Sequence, residues 1–158
     1  MRITGGELRG RILKVPAAGH VRPTQDAVRE ALFSILMADV PGARFLDLYA
    51  GSGAVGIEAW SRGAAHVTWG ESHPGEEPYG VVFADPPYGD ADHEDPIEAL
   101  MAALARSPLV AEGTIFIAEQ RAGLPMPKAP GWARIKDRRY GHTRLAIFVR
   151  NPSPAPAS

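Results

Sequence analysis

The chain has 158 residues, of which 45% are hydrophobic and 22% charged, enough for one globular domain with a genuine core. No apolar run approaches the ~18 residues of a membrane span, and the opening MRITGGELRG lacks the apolar stretch of a signal peptide. The absence of cysteine excludes disulfides and thiolate metal sites and suits a cytoplasmic protein.

The net charge of −1 conceals an asymmetry. Residues 1–30 hold six Lys or Arg against three Asp or Glu, residues 31–119 three against fourteen, and residues 120–150 eight against one. Basic ends on a near-neutral chain suggest a polyanion surface, provided that the two ends lie on one face; a solvated surface is the plainer alternative.

Ile3 to Val15 alternates apolar and polar residues around GG and RG, as short strands or an extended arm would, and carries Arg2, Arg9, Arg11 and Lys14. From Thr24, a suitable N-cap, Val28, Leu32, Ile35 and Leu36 recur at helical spacing to about Met37. Arg22 and Arg29 are then expected near the exposed start of that helix. Arg44 to Tyr49 reads as a strand entering AGSGAVGIEAWSRG, a glycine turn and a helix closed by Gly63. AHVTW and YGVVFA read as the next two strands, and Pro96 to Ala105 as a helix with Ile97, Leu100, Met101 and Leu104 inward. GTIFIAE is a fourth strand, and Arg134–Arg139 with Arg144–Val149 alternate like a hairpin around YGHT. The tail NPSPAPAS is proline-rich and is expected to be disordered.

Strands alternating with helices and followed by a terminal hairpin predict an α/β fold. Its sheet is mostly parallel with an antiparallel edge, and helices cover both faces. Ligands of such sheets bind at the carboxyl ends of the strands, where Gly51–Gly56, Glu71 and Asp85–Tyr88 all fall. Gly51–Gly56, GSGAVG, has the spacing of a nucleotide-binding turn, although any tight strand-to-helix connection needs glycines. Glu71, twenty positions after Gly51, is placed to accept hydrogen bonds from ribose hydroxyls.

Glycines and an acid at those positions suit a nicotinamide dehydrogenase and an S-adenosylmethionine enzyme alike. Asp85, Pro86, Pro87 and Tyr88 separate the two. A nucleobase amine is a poor nucleophile because its lone pair is delocalised into the ring. Two acceptors, the Asp85 carboxylate and the Pro86 carbonyl, could draw that nitrogen toward a shape able to attack a methyl group. The prolines fix the backbone presenting the carbonyl, and Tyr88 offers a face for an extruded base. Such catalysis is positional and electrostatic and requires no metal. His20, His66, His73, His93 and His142 show no metal-ligand spacing.

DLYAGSGAVGIEA together with FADPPYG resembles the class I S-adenosylmethionine-dependent methyltransferases that act on amines. GGELRGR, RPTQDAVREALFSIL and YGHTRLAIF narrow the resemblance to the RsmD family, bacterial enzymes that methylate a guanine N2 in 16S ribosomal RNA, and it spans nearly all of residues 1–150. The resemblance implies a Rossmann-like methyltransferase domain over residues 41–150, preceded by a basic arm and helix over 1–40 and followed by a tail over 151–158. Asp47, Tyr49, Gly51, Ser52, Gly53 and Glu71 would surround the cofactor, and Asp85, Pro86, Pro87 and Tyr88 the guanine. Arg9, Arg11, Arg22, Thr24 and Arg29 would face the RNA, with Pro23 shaping that side. A cytoplasmic monomer acting on 16S RNA, naked or in an assembling particle, is the expectation.

One departure stands out. Nine residues, SHPGEEPYG, join Glu71 to Val81, where the family has helix, strand and helix that include adenine-binding residues. A missing mobile segment is the preferred reading. A true deletion is the alternative and would put cofactor binding in doubt. Two rival functions follow: a nicotinamide-dependent oxidoreductase, which leaves Asp85–Tyr88 without a task, and a non-catalytic RNA-binding paralogue.

Overall fold

The computed structural model describes residues 1–14, 26–70, 77–87 and 96–152. Its elements follow in the order α1 (Asp26–Ile35), β1 (Arg44–Leu48), α2 (Ala54–Ser61), β2 (His66–Trp69), β3 (Val81–Ala84), α3 (Pro96–Ala105), β4 (Ile115–Arg121), β5 (Trp132–Tyr140) and β6 (Thr143–Arg150). The proposed N-cap Thr24, Arg22 and the tail beyond residue 152 lie outside the described residues. Among those described, no helix is long and apolar enough to cross a membrane.

Six strands form one sheet in the order β2-β1-β3-β4-β6-β5. The first four pair in parallel, and β6 pairs antiparallel with both β4 and β5. A mostly parallel Rossmann-like sheet with an antiparallel hairpin, helices on both faces and a basic N-terminal extension is therefore what the chain adopts.

The inner parallel strands β1, β3 and β4 are buried on both sides because both faces are covered there, whereas the edge strand β2 stays partly exposed. On one face Val28, Leu32, Phe33 and Leu36 of α1 and its following turn, with Val55 and Ala59 of α2, pack on Phe45, Val81, Phe83, Ile117, Leu145 and Ile147. Phe33 stacks on Phe45 with ring centroids 6.1 Å apart, and full burial of such a side chain contributes ~1.5–3 kcal/mol. On the other face Ile97, Met101 and Leu104 of α3 cover Leu46, Val82, Phe116, Ala118 and Phe148. Tyr79 closes that face near β1, its hydroxyl 2.8 Å from Thr68 Oγ1 and its ring under the Arg44 guanidinium at 5.1 Å.

The N-terminal arm is bound through a buried carboxylate. Glu58 of α2 accepts hydrogen bonds from the Thr4 and Gly5 amides at 2.9–3.1 Å and from the Thr4 hydroxyl at 2.5 Å. It also pairs with Arg29 at 3.0 Å and with Arg62 at 3.1 Å. Arg29 and Glu58 side chains are both 0% exposed. Arg29, expected at an exposed helix start for RNA contact, is instead sunk between α1, α2 and the arm. It also donates to the Arg2 carbonyl and the Asp26 carboxylate. Two basic stretches that read as surface are thus pinned to one acid. Gly6 follows at φ +78°, where a Cβ would fall 1.9 Å from the Ser61 carbonyl oxygen, so only glycine lets the arm lie this close to α2.

Burial alone would raise the Glu58 pKa, but the hydrogen bonds from Thr4, Arg29 and Arg62 outweigh it and hold the carboxyl below its usual value. The stability this lends is present above the ordinary glutamate range and is lost as pH falls through the lowered value. Removing the carboxylate takes away the buried counter-charge of Arg29 and leaves it the half-exposed Asp26 carboxylate. Glu58→Ala is therefore expected to lower the unfolding free energy by ~3–5 kcal/mol in urea denaturation; a loss under ~1 kcal/mol would mean that the pair is not the clasp described.

Candidate active site

The site is built where β1 and β3 end side by side. Leu48 stands opposite Ala84 in the parallel register, so the residues that follow, Tyr49 on one strand and Asp85 on the other, emerge at the same rim. From β1 the chain turns through Tyr49 to Gly53 into α2. Tyr49 is 48% exposed and has a φ of 58°, an uncommon left-handed conformation for a residue with a side chain. Gly51 and Gly53 take φ values of 54° and 76°. The turn is closed by the Gly53 amide on the Ala50 carbonyl at 2.8 Å.

Asp47 anchors the turn from beneath. It is buried on β1 and accepts the Gly56 amide at 3.0 Å. Burial is the main reason that its pKa rises from 3.8 to about 7; the Gly56 amide opposes that rise and the charge of Asp85 adds to it. Trp69, at the carboxyl end of β2, donates from its indole nitrogen to the Gly53 carbonyl at 3.3 Å. A Cβ on Gly56 would lie 2.2 Å from that nitrogen, so this glycine admits the indole against the helix start.

The structure thus brings together Asp47, Tyr49, Gly51, Ser52, Gly53, Asp85, Pro86 and Pro87. Asp85 is half-buried, Pro86 buried and Pro87 exposed. Glu71, Tyr88, Arg22 and Thr24 lie outside the described residues. Arg9 and Arg11 are exposed on the arm. The arm's tip bonds through the Glu7 amide to the Ser61 carbonyl at the last residue of α2, which sets Arg9 toward the opposite end of the sheet from the glycine turn. Glu119 and Gln120, buried at the carboxyl end of β4 next to Asp85, extend the rim. Their signal was two polar residues closing an apolar strand.

The turn's left-handed glycines and exposed backbone, the anchored Asp47 and the adjacent acid–proline–proline segment fit a class I methyltransferase site. The family model described as "Conserved hypothetical protein 95" matches residues 1–75 and 71–149. Ribosomal RNA small subunit methyltransferase D of Escherichia coli K12 is 31% identical over 182 residues, covering 95% of this chain and 90% of that protein. The Haemophilus influenzae protein of the same name is 28% identical, covering 94% and 93%. Among solved structures, Escherichia coli yhhF superposes with a TM-score of 0.81 at 28% identity, covering 97% of this chain and 99% of that one. A Thermus thermophilus 16S rRNA N2 G1207 methyltransferase solved with AdoMet and guanosine shares the fold at 20% identity and a TM-score of 0.58, over 91% of this chain and 46% of its own. The chain belongs to the RsmD family of S-adenosylmethionine-dependent ribosomal RNA methyltransferases. Nothing in these relatives supports the oxidoreductase alternative.

The two family matches break at the short link after Glu71. Alignments of 182 positions draw on 95% of a 158-residue chain, so the relatives carry positions without a counterpart here. Gly70 bonds to the Asp47 carbonyl near one end of β1 and Gly80 to the Arg44 carbonyl at the other.

Because the folded state raises the Asp47 pKa, it favours the neutral acid. The stability contribution is complete below the unfolded value of 3.8 and is lost as pH rises through about 7. Asp47→Asn keeps an acceptor for Gly56 without the charge. Its melting temperature should match wild type near pH 4 and exceed it at pH 8, as thermal melts across that range will read. A gap independent of pH would contradict a buried, raised carboxyl.

Proposed function

We propose that this chain transfers a methyl group from S-adenosylmethionine to the exocyclic N2 amine of a guanine in 16S ribosomal RNA. The observation that carries the reading is the adjacency of the glycine turn after β1 and Asp85-Pro86-Pro87 after β3. A cofactor lying over the first would meet a base presented to the second. When bound, S-adenosylmethionine supplies an electrophilic methyl on a sulfonium.

Gly51, Ser52 and Gly53 would carry the cofactor on their backbone, with Asp47 holding the turn from below. Glu71 would take the ribose hydroxyls. The Asp85 carboxylate and the Pro86 carbonyl would accept the two amine hydrogens, orienting the nitrogen lone pair toward the methyl carbon. One N–C bond forms as the S–C bond breaks, and the surplus amine proton leaves to water. Tyr88 would stack on the base. Arg11, Arg22 and Thr24 would contact the RNA backbone.

Replacement of Asp85 removes an interaction used at the reacting nitrogen and leaves the glycine turn intact. Asp85→Ala is expected to lower kcat by ~100-fold or more, with cofactor affinity by calorimetry changed less than threefold or so. Digestion of RNA methylated by the wild type should yield N2-methylguanosine. Unchanged turnover in the variant, or a methylated adenine or cytosine in the digest, would contradict the reading.

A further inference from the structure

We infer that the bulged edge strand β5 is a docking strip for RNA phosphates beside the catalytic rim, an assignment that rests on the proposed RNA substrate. β5 is the terminal strand of the sheet. It exposes Arg134, Lys136, Arg138 and Arg139. Its one acid, Asp137, is paired with Arg144 of β6 at 3.3 Å. Among the described residues none of the four exposed cations has a carboxylate partner; Arg138 and Arg139 donate only to the backbone carbonyls of Asp137 and Gly141.

Register decides where these cations point. Phe148 faces Arg134 and Ile147 faces Lys136, so Ile135 is an extra residue, a β-bulge. Directly opposed residues share a face. After the bulge, Lys136 and Arg138 lie on the face of Ile147 and Leu145, where α1, α2 and the arm pack. Arg139 shares the other face with Arg144. Without the extra residue, Lys136 and Arg138 would turn to the α3 face, and Tyr140 would leave the core that it packs against. The bulge therefore puts cations from the basic C-terminal segment on the side that holds the basic arm.

Topology sets the distance to the site. Tyr140 pairs with Thr143, which pairs with Arg121 at the carboxyl end of β4, so the Arg138–Tyr140 end of β5 reaches the rim occupied by Asp85. Three strand steps separate β5 from β3, ~14 Å at 4.7–4.9 Å per step. A strand whose base is extruded to Asp85 could lay its neighbouring phosphates along this edge. Charge alone attracts any polyanion. A strip on one side of an RNA-modifying site commits the attraction to the backbone flanking the target nucleotide.

The test is equilibrium binding of a 16S ribosomal RNA transcript to the full chain over a salt series, comparing wild type with the pair Arg138→Gln, Arg139→Gln and with Arg138→Lys, Arg139→Lys. The Gln pair should bind several-fold more weakly and flatten the slope of log K against log salt by ~0.7 per cation, ~1.4 for the two. The Lys pair should keep the wild-type slope. S-adenosylmethionine affinity should be unchanged in both, since neither side chain touches the glycine turn. A wild-type slope in the Gln pair would overturn the assignment and leave the cations as protection of a sheet edge. Binding is read without turnover, so a wild type that binds RNA but transfers no methyl group contradicts the proposed function and leaves the strip standing.

Discussion

The parallel pairing of β1 with β3 is the constraint from which the site follows. Leu48 opposite Ala84 makes the two strands end together, so a glycine turn and an acid–proline–proline segment separated by more than thirty residues of sequence share one rim. A slip of β1 by one residue would turn Asp47 away from Gly56 and carry Phe45 out of the core that α1 and α2 cover. Burial of those faces sets the register, and the register sets the chemistry. Asp47 links the two: placed under the turn by the strand, it lies close enough to Asp85 to feel its charge.

A second dependency runs through Glu58. The arm's backbone amides, the helix cation Arg29 and the helix-end cation Arg62 all converge on this one carboxylate. The basic N-terminus is consequently part of the folded layer over the sheet. Charged groups serve opposite ends here: Arg29 is consumed in holding the arm, whereas the cations of β5 remain on the surface.

Much of the fold was legible because its elements carry strong local signals. The helix from Pro96 to Ala105 follows from the spacing of Ile97, Met101 and Leu104, and the strands from apolar runs that stop at glycine or proline. The glycine turn and Asp85–Pro87 were legible because few sequences serve their geometry. Arg29 was misread because an arginine early in a helix looks solvent-facing until a distant glutamate, twenty-nine positions on, is known to lie beneath it. The bulge at Ile135 was hidden for a related reason: alternation in a strand gives no sign of an extra residue whose place is set by the partner strand. Glu119 and Gln120 acquire their position only from the β3–β4 register.

The short link after Glu71 bears most directly on function, since the chain spans the family's fold with fewer residues than its relatives. Calorimetric titration of S-adenosylmethionine into the 158-residue chain is the decisive measurement. Saturable one-to-one binding with a micromolar Kd is expected. No binding at millimolar cofactor would contradict a functional methyltransferase site and leave an RNA-binding relative in its place.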